Sequence, residues 1–305
     1  MAEIRYPLDR TVPTEEAVKI VPEILWLRMP LPFILNHVNL WLLKDTDGWC
    51  AVDTGVSWVD GKACWEKYLQ ECRLVKQVVT HSHPDHIGLS GWLEEKTGAP
   101  LWITQGEYLS ALACREQSGS HSVDATVRLF ESHGLDTYRL EAFRKRGNTY
   151  RNECSAIPAT YHCLRDGDFI HIGEQVWEVI VGSGHAVEHA SLYCEKLKVL
   201  VSGDMLLPGI STNVPVMASH PEGNPLKDFL ASIRRYRKLP EDTLVLPSHG
   251  RPFTGVHSRV DFLEEYHRKR CKMVLSACSM PRTACEILPI LFERDMTDAH
   301  QCLFA

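Results

Sequence analysis

Six residues constrain this chain more than any other stretch: His81-Ser82-His83-Pro84-Asp85-His86 places three imidazoles and one carboxylate in a single turn. Neutral imidazole and carboxylate are ligands for borderline divalent cations such as zinc, and a soluble protein gains little structurally from crowding them. A metal is the natural occupant. The flanking residues say how the turn is held. Residues 74–79, with Val75, Val78 and Val79, read as a buried strand, and 88–98 carry Leu89, Trp92 and Leu93 at helix-like spacing. The ligands therefore sit at the carboxyl end of a strand, where open sheets gather ligands. His81 and His83 can project the same way, whereas the adjacent Asp85 and His86 must diverge. One turn can thus feed two neighbouring ions. The bland alternative, surface histidines in a polar loop, explains so dense a set poorly.

Composition sets outer bounds. With 305 residues, 44% hydrophobic and 24% charged, the chain has an ordinary globular balance and can bury one large core or two smaller ones. A net charge of −6 disfavours a protein-wide field that gathers nucleic acid and leaves room only for a local basic patch. The eleven cysteines are odd in number, lie singly between Cys50 and Cys302 and include no Cys-x-x-Cys pair. Without a charged and apolar leader, they read as the reduced thiols of a cytoplasmic protein. The most apolar region, 20–43, is interrupted by Pro22, Glu23, Arg28, Pro30, Pro32, Asn36 and His37, so it predicts no membrane span. No feature specifies an oligomeric state, and there is no internal repeat.

Along the chain, 24–29, 38–43 and 49–52 read as strands, and Asp53-Thr54-Gly55 leads into a helical pattern over 58–72. Asp53, after a strand, suits a helix cap, which does not exclude a further role. Residues 107–135 are mostly helical in pattern. The segment 136–163, with Arg139, Arg144, Lys145, Arg146 and Arg151, has no clean period. It is expected either to cover the site, with Arg144, Lys145 and Arg146 touching substrate, or to be a solvated connector. Residues 164–172, with Asp166-Gly167-Asp168, read as a hairpin entry, and 175–181 as a strand. Gly182-Ser183-Gly184-His185 follows, with His189 four residues further on. Another apolar run, 197–202, ends at Gly203-Asp204, and a lone Asp there would ordinarily be a turn residue. The loop 205–225 carries His220, a candidate substrate contact, although a histidine in such a loop is more often a bystander. Residues 225–239 form a basic amphipathic helical pattern whose charges suit a solvated face. A last strand, 243–246, delivers Pro247-Ser248-His249-Gly250. Helices are expected over 256–277 and after the capping-box pattern Thr283-Ala284-Cys285-Glu286.

The motif His81-x-His83-x-Asp85-His86 resembles the signature of the metallo-β-lactamase-fold hydrolases, and Gly184-His185, Gly203-Asp204 and Pro247-Ser248-His249-Gly250 resemble that family's remaining ligand motifs in order. The resemblance runs from about Asn39 to His249. It implies an α/β (α+β) fold, a four-layer αββα sandwich over 1–255 with 136–163 as an insertion and candidate lid. A C-terminal helical extension, 256–305, would follow. That tail is similar to the small winged-helix-like region of the lactamase-β-like endoribonucleases, although the sequence stops at Ala305 before the strand pair of a wing. The resemblance further implies that His81, His83 and His185 hold one divalent ion and Asp85, His86 and His249 another. Asp204 and a hydroxide would lie between the ions, with Asp53 and His189 behind the ligands. The chain departs from the family in Ala186-Val187-Glu188, usually a Gly or Pro region, and in Ser248, where many relatives have Gly.

Such a centre would let a metal-bridged hydroxide attack an ester, thioester or lactone carbonyl, with catalytic roles for Asp204 and Asp85 and no serine or cysteine nucleophile. The joint presence of His86 and Asp204 resembles the glyoxalase II-like and lactonase-like branches and argues against a true β-lactamase. An endoribonuclease is the alternative, suggested by the tail and the basic insertion but opposed by the acidic charge and the lack of aromatics beside a basic groove. An inactive metal-binding relative is disfavoured because all seven expected ligands are present. Zinc is the first expectation for the cofactor, and an oxygen-rich second site also admits iron or manganese. The expected partner is a small acyl substrate.

Overall fold

The computed structural model describes residues 4–8, 17–32 and 35–292. Its central strands are built largely from branched and aromatic residues that are buried on both faces, as expected of sheets covered on each side. In His37–Asp45, for example, Val38, Leu40 and Leu42 enter one apolar cluster while Trp41 and Leu43 enter another. Seven strands lie in order in one sheet: β1 (Ala17–Val21), β2 (Ile24–Pro30), β3 (His37–Asp45), β4 (Gly48–Val52), β5 (Leu74–Val78), β6 (Leu101–Thr104) and β7 (His162–Leu164). The first four pair antiparallel, and β4 through β7 run parallel. A second sheet has β8 (Phe169–Ile172), β9 (Gln175–Gly182), β10 (His189–Cys194) and β11 (Val199–Gly203) antiparallel in sequence, with β12 (Leu244–Pro247) added parallel to β11.

The sheets pack through Trp26, Trp41, Val52 and Val78 on one side and Trp177, Val179, Leu192 and Val201 on the other. Helices close the outer faces. Helix α1 (Val59–Tyr68) sets Cys64, Trp65 and Tyr68 against the first sheet, together with Leu93 of the later helix Ser90–Thr97. On the second sheet, Phe229 and Ile233 of Pro225–Arg234 join Val256, Val260 and Leu263 of Val256–Ala277. The result is the expected αββα order.

Helix α2 (Pro84–Ile87) and α3 (Ser90–Thr97) follow β5, and α3 stops at Gly98, whose φ of 73° is the left-handed cap that glycine accepts freely. Then come α4 (Gln105–Glu116), α5 (Val123–Ser132), α6 (Thr137–Arg146) and α7 (Tyr150–Glu153). The segment without a clean period is thus partly helical. Its pattern is faint because α6 buries only Leu140 and Phe143, in a small satellite core shared with Val127, Phe130 and Leu135. The rest of the insertion returns along the first ligand turn. Tyr150 Oη donates to the Ser82 carbonyl (2.6 Å), Ser155 N to the Gly88 carbonyl (2.6 Å) and Ser57 N to the Glu153 carbonyl (2.8 Å).

Two further readings change. Asp166-Gly167-Asp168 crosses from β7 in one sheet to β8 in the other, and the hairpin comes one turn later, between β8 and β9. The basic face of 225–239 is not simply solvated. Helix α8 (Pro225–Arg234) passes into a tighter 3-10 turn in which Arg235 donates to the Val181 carbonyl (2.6 Å) and to Asp166 (2.7 Å), while Arg234 and Arg237 pair with Glu264. The tail holds α9 (Val256–Ala277) and α10 (Ala284–Leu291), the latter opened by the Thr283–Glu286 capping box. The start of α9 belongs to the catalytic layer, since its buried Arg259 donates to the carbonyls of Leu207 (2.6 Å) and Ile210 (2.7 Å). The expectation about a wing falls on 293–305, outside the described residues.

Gly91 on α3 faces the returning insertion so closely that a Cβ would lie 1.7 Å from the Ala156 carbonyl oxygen. Backbone cannot yield as a flexible side chain does, so Gly91→Ala is expected to lower stability by about 2 kcal/mol or more, read from urea unfolding midpoints. An unchanged midpoint would mean that 154–161 are not seated on α3.

Candidate metal centre

Four strand ends from two sheets supply the seven residues. Pro84 at the first turn of α2 starts a helix directly after His83, so His86 swings back under the strand end while His81 remains on it. Both imidazoles are fully buried. His185 leaves β9 through Gly184, whose φ is +112° and whose added Cβ would lie 2.5 Å from Phe229 and the Pro225 carbonyl. Asp204 follows Gly203, φ +53°, where a Cβ would lie 2.3 Å from His189 Nε2. Only glycine fits either place. His249 follows β12.

The side chains converge. His81 Nε2 lies 2.9 Å from His83 Nδ1 and 3.1 Å from His185 Nε2. His86 Nε2 and His249 Nε2 lie 3.5 and 3.4 Å from Asp85 Oδ2. Asp204 stands between, with Oδ2 at 3.4 Å from His185 Nε2 and 3.7 Å from His86 Nε2, and Oδ1 at 3.4 Å from His249 Nε2. Three overlapping groups emerge: His81, His83 and His185; His81, His86 and Asp204; and Asp85, His86 and His249. Within each, the ligand atoms lie no more than 4.8 Å apart.

The residues behind the ligands fix which ring nitrogen points inward. His185 Nδ1 meets the Asn213 carbonyl (2.7 Å), His249 Nδ1 the His37 carbonyl (2.8 Å) and His86 Nδ1 the Asp53 carboxylate (2.8 Å). Those oxygens only accept, so each Nδ1 carries the proton and each Nε2 presents a lone pair to the centre. Thr80 does the same for His81, its hydroxyl donating to Asp53 Oδ2 (3.0 Å) and leaving its oxygen to accept from His81 Nδ1 (3.0 Å). Asp53, at φ +66°, is therefore an imidazole holder and not a helix cap, and its other oxygen takes the Thr80 backbone N–H (2.8 Å).

Charge tells the same story. Burial and the neighbouring imidazoles press His81 well below the ordinary histidine range, and burial with His185 holds His83 at about 3. Burial opposes charge on His249 too, yet Asp204 and Asp85 outweigh it and hold that ring at about 10, so its Nε2 keeps a proton unless a cation displaces it. Burial likewise opposes ionisation of Asp204 and Asp85, and the adjacent rings, His249 and His86, override it and lower both. The cavity thus demands positive charge. His86 Nε2 and Asp204 Oδ1 are buried with no hydrogen-bond partner among the described residues. Lone pairs, carboxylates and orphaned acceptors in one largely buried centre fit divalent cations.

The family model for the metallo-beta-lactamase superfamily matches residues 34–249. The chain belongs to this superfamily. A second model, the metallo-beta-lactamase-like C-terminal domain, matches 271–305. A beta-lactamase domain protein from Burkholderia ambifaria is 40% identical, with a TM-score of 0.91 over 99% of this chain and 89% of its own. The metallo-beta-lactamase family protein TTHA1429 from Thermus thermophilus is 31% identical, with a TM-score of 0.79 over 90% and 89%. A probable metallo-hydrolase of Bacillus subtilis, YqjP, is 26% identical over 90% of this chain and 88% of its own. The protein is a metallo-hydrolase of this superfamily with a metallo-beta-lactamase-like C-terminal region.

All seven expected ligands meet in the centre. Asp53 stands behind His86, and His189, fully buried, accepts the Asp204 backbone N–H at Nε2 (3.1 Å). The expected substrate contacts do not join the cluster. Arg144 pairs with Glu141 on its own helix (2.6 Å), Lys145 is exposed beside it, Arg146 lies near Glu153, and His220 is exposed on the loop after Asp204. Sequence reasoning missed Thr80, Asn39 and Glu107. Buried Asn39 donates to the carbonyls of Pro247 (2.8 Å) and Gly250 (2.9 Å), bracketing His249. A polar residue in the otherwise apolar run 38–43 was the available signal. Glu107 offered none, since an acid in a helix's first turn is ordinary.

His185→Ala is expected to remove at least one equivalent of bound metal. His189→Ala, which leaves every ligand in place, should cost affinity by about 10-fold. Metal content by elemental analysis ranks the two, and the reverse ranking would assign the ligand to His189.

Proposed function

We propose that this metallo-hydrolase carries two divalent ions, zinc being the first candidate, and hydrolyses a thioester, ester or lactone. The carrying observation is Asp204, which turns Oδ2 toward His185 (3.4 Å) and Oδ1 toward His249 (3.4 Å), one oxygen for each ligand group. Bound ions of this kind supply Lewis acidity and a water activated near neutral pH. The chain's own part is positioning. The Asp204 backbone is pinned on both sides, its N–H to His189 (3.1 Å) and its carbonyl by the Thr212 hydroxyl (2.5 Å). Asp85 is the more open carboxylate, its side chain 24% exposed against 10% for Asp204. Its openness favours Asp85 as the carboxylate that would take up the proton released by the attacking water and hand it to the leaving atom.

Two relatives support an acyl substrate. A hydroxyacylglutathione hydrolase from Marinomonas is 25% identical over 72% of this chain and 63% of its own. An acyl-coenzyme A thioesterase from Bos taurus, MBLAC2, is 26% identical over 61% and 64%. A ribonuclease is the second reading, favoured by the basic last turn of α6, where Arg144, Lys145 and Arg146 sit together. The acidic net charge of −6 weighs against it.

One parallel assay separates these readings: metal-loaded protein against a thioester, an ester, a lactone, a β-lactam and a labelled single-stranded RNA, with Asp204→Asn as the blank. Thioester, ester or lactone turnover that falls by about 100-fold or more in the mutant is expected. RNA cleavage with silent acyl compounds would replace the proposal with the second reading. Within the first outcome, replacing Arg144, Lys145 and Arg146 by Ala should raise KM for an anionic acyl substrate severalfold while leaving kcat in place. Unchanged kinetics would mark that turn as solvated surface.

A further inference from the structure

We propose that Glu107 is the positioning residue for the ion held by His81, His83 and His185, and that it supports that ion separately from its neighbour. Glu107 lies in the first turn of α4, fully buried. Its Oε2 accepts the backbone N–H of Ser82 (2.8 Å), and its Oε1 accepts that of Glu188 (2.8 Å). Ser82 stands between His81 and His83, and Glu188 follows His185 by three residues. The first segment hangs from β5 in the seven-stranded sheet, and the second joins β9 to β10 in the five-stranded sheet. One carboxylate therefore fixes the distance between two sheets at the point where three imidazoles must meet.

The grip is reciprocal. Glu188 Oε2 accepts the Gly106 N–H at the start of α4 (2.7 Å), and Thr104 Oγ1 donates to the Glu188 carbonyl (2.8 Å). A Cβ on Gly106 would lie 2.8 Å from the Glu188 carboxyl carbon, so the helix start and the His185 loop interlock. Glu188 is part of the Ala186-Val187-Glu188 departure from the family pattern, and here it locks the turn. Hydrogen bonds from backbone N–H to a buried carboxylate are among the stronger ones, and losing the acceptor strands a buried donor. The other side of the centre is held differently. His86 leans on Asp53 (2.8 Å), and His249 on the His37 carbonyl (2.8 Å). Asp53 also reaches His81 through Thr80, and Ser82 shares its turn with Asp85 and His86, but the Glu107 oxygens bond at Ser82, between His81 and His83, and at Glu188 beyond His185, and not at Asp85, His86 or His249 themselves.

The inference rests on the two-ion reading above. Glu107→Gln keeps the shape but turns an amide NH2 toward one of the two N–H groups. Titrating the metal-free full chain with cobalt(II), followed by visible absorption and by competition with a chelator, should show two equivalents in the wild type. In E107Q one equivalent should keep its affinity while the other weakens about 10- to 100-fold and changes its absorption bands. E107D, one methylene shorter, should fall between the two, and it carries the same test if E107Q does not fold. Turnover should lose kcat with KM unchanged, because Glu107 lies behind the ligands. Equal weakening of both equivalents, or of neither, overturns the proposal. If the wild type binds one equivalent only, the two-ion reading falls instead. The Glu107 role then stands if E107Q weakens that equivalent while H249A spares it, and falls if the order is reversed.

Discussion

Five imidazoles and two carboxylates that face one another across 2.9 to 3.7 Å in a buried cavity form an arrangement no folded chain holds by accident. Inward lone pairs repel, and buried carboxylates lose their hydration, so the groups tolerate one another only around positive charge. Burial alone would neutralise Asp85 and Asp204, yet both are held ionised by His86 and His249. The rest of the fold can be understood as the apparatus that keeps these groups from relaxing apart.

That apparatus is backbone as much as side chain. Strand ends from both sheets converge because the sheets pack on a thick inter-sheet core that includes Trp26, Trp41 and Trp177. The convergence is then fixed by outward-facing bonds from each ligand: His86 to Asp53, His81 to Thr80, His185 to the Asn213 carbonyl and His249 to the His37 carbonyl. The insertion shares the task. Its returning half, from Tyr150 to Ala156, presses on Ser82, Gly88 and Gly91 and so braces the ligand turn from outside. A segment expected either as a lid or as a connector is in part a buttress.

The tail is continuous with this scheme. Arg259 at the start of α9 is buried and holds the carbonyls of Leu207 and Ile210, which follow Asp204. Further along, the Cys285 N–H donates to the His133 carbonyl (3.2 Å), and Thr283 packs against Gly134, so the last described helix meets the α5–α6 corner just ahead of the insertion. Among the described residues no helix is long and apolar enough to cross a membrane.

The first ligand turn was legible from its residues alone, because crowded His and Asp at a strand end serve little else, and the later ligands, His185, Asp204 and His249, were legible through the resemblance of their strand-end motifs to the family's. The layer order followed from the family resemblance that those motifs carry. What the sequence could not determine is which groups stand behind the ligands. Asp53 was an ambiguous cap or holder until its left-handed backbone and its bonds to His86 and Thr80 were in place. Asn39 was one polar residue in an apolar strand until β3 lay beside Pro247 and Gly250, more than 200 residues away in the chain. Glu107 read as an ordinary first-turn acid, and only the approach of two sheets put the Ser82 and Glu188 N–H groups at its two oxygens. A ligand is set by its own chemistry, which is local, whereas its support is set by contact across sheets, which only the tertiary structure decides.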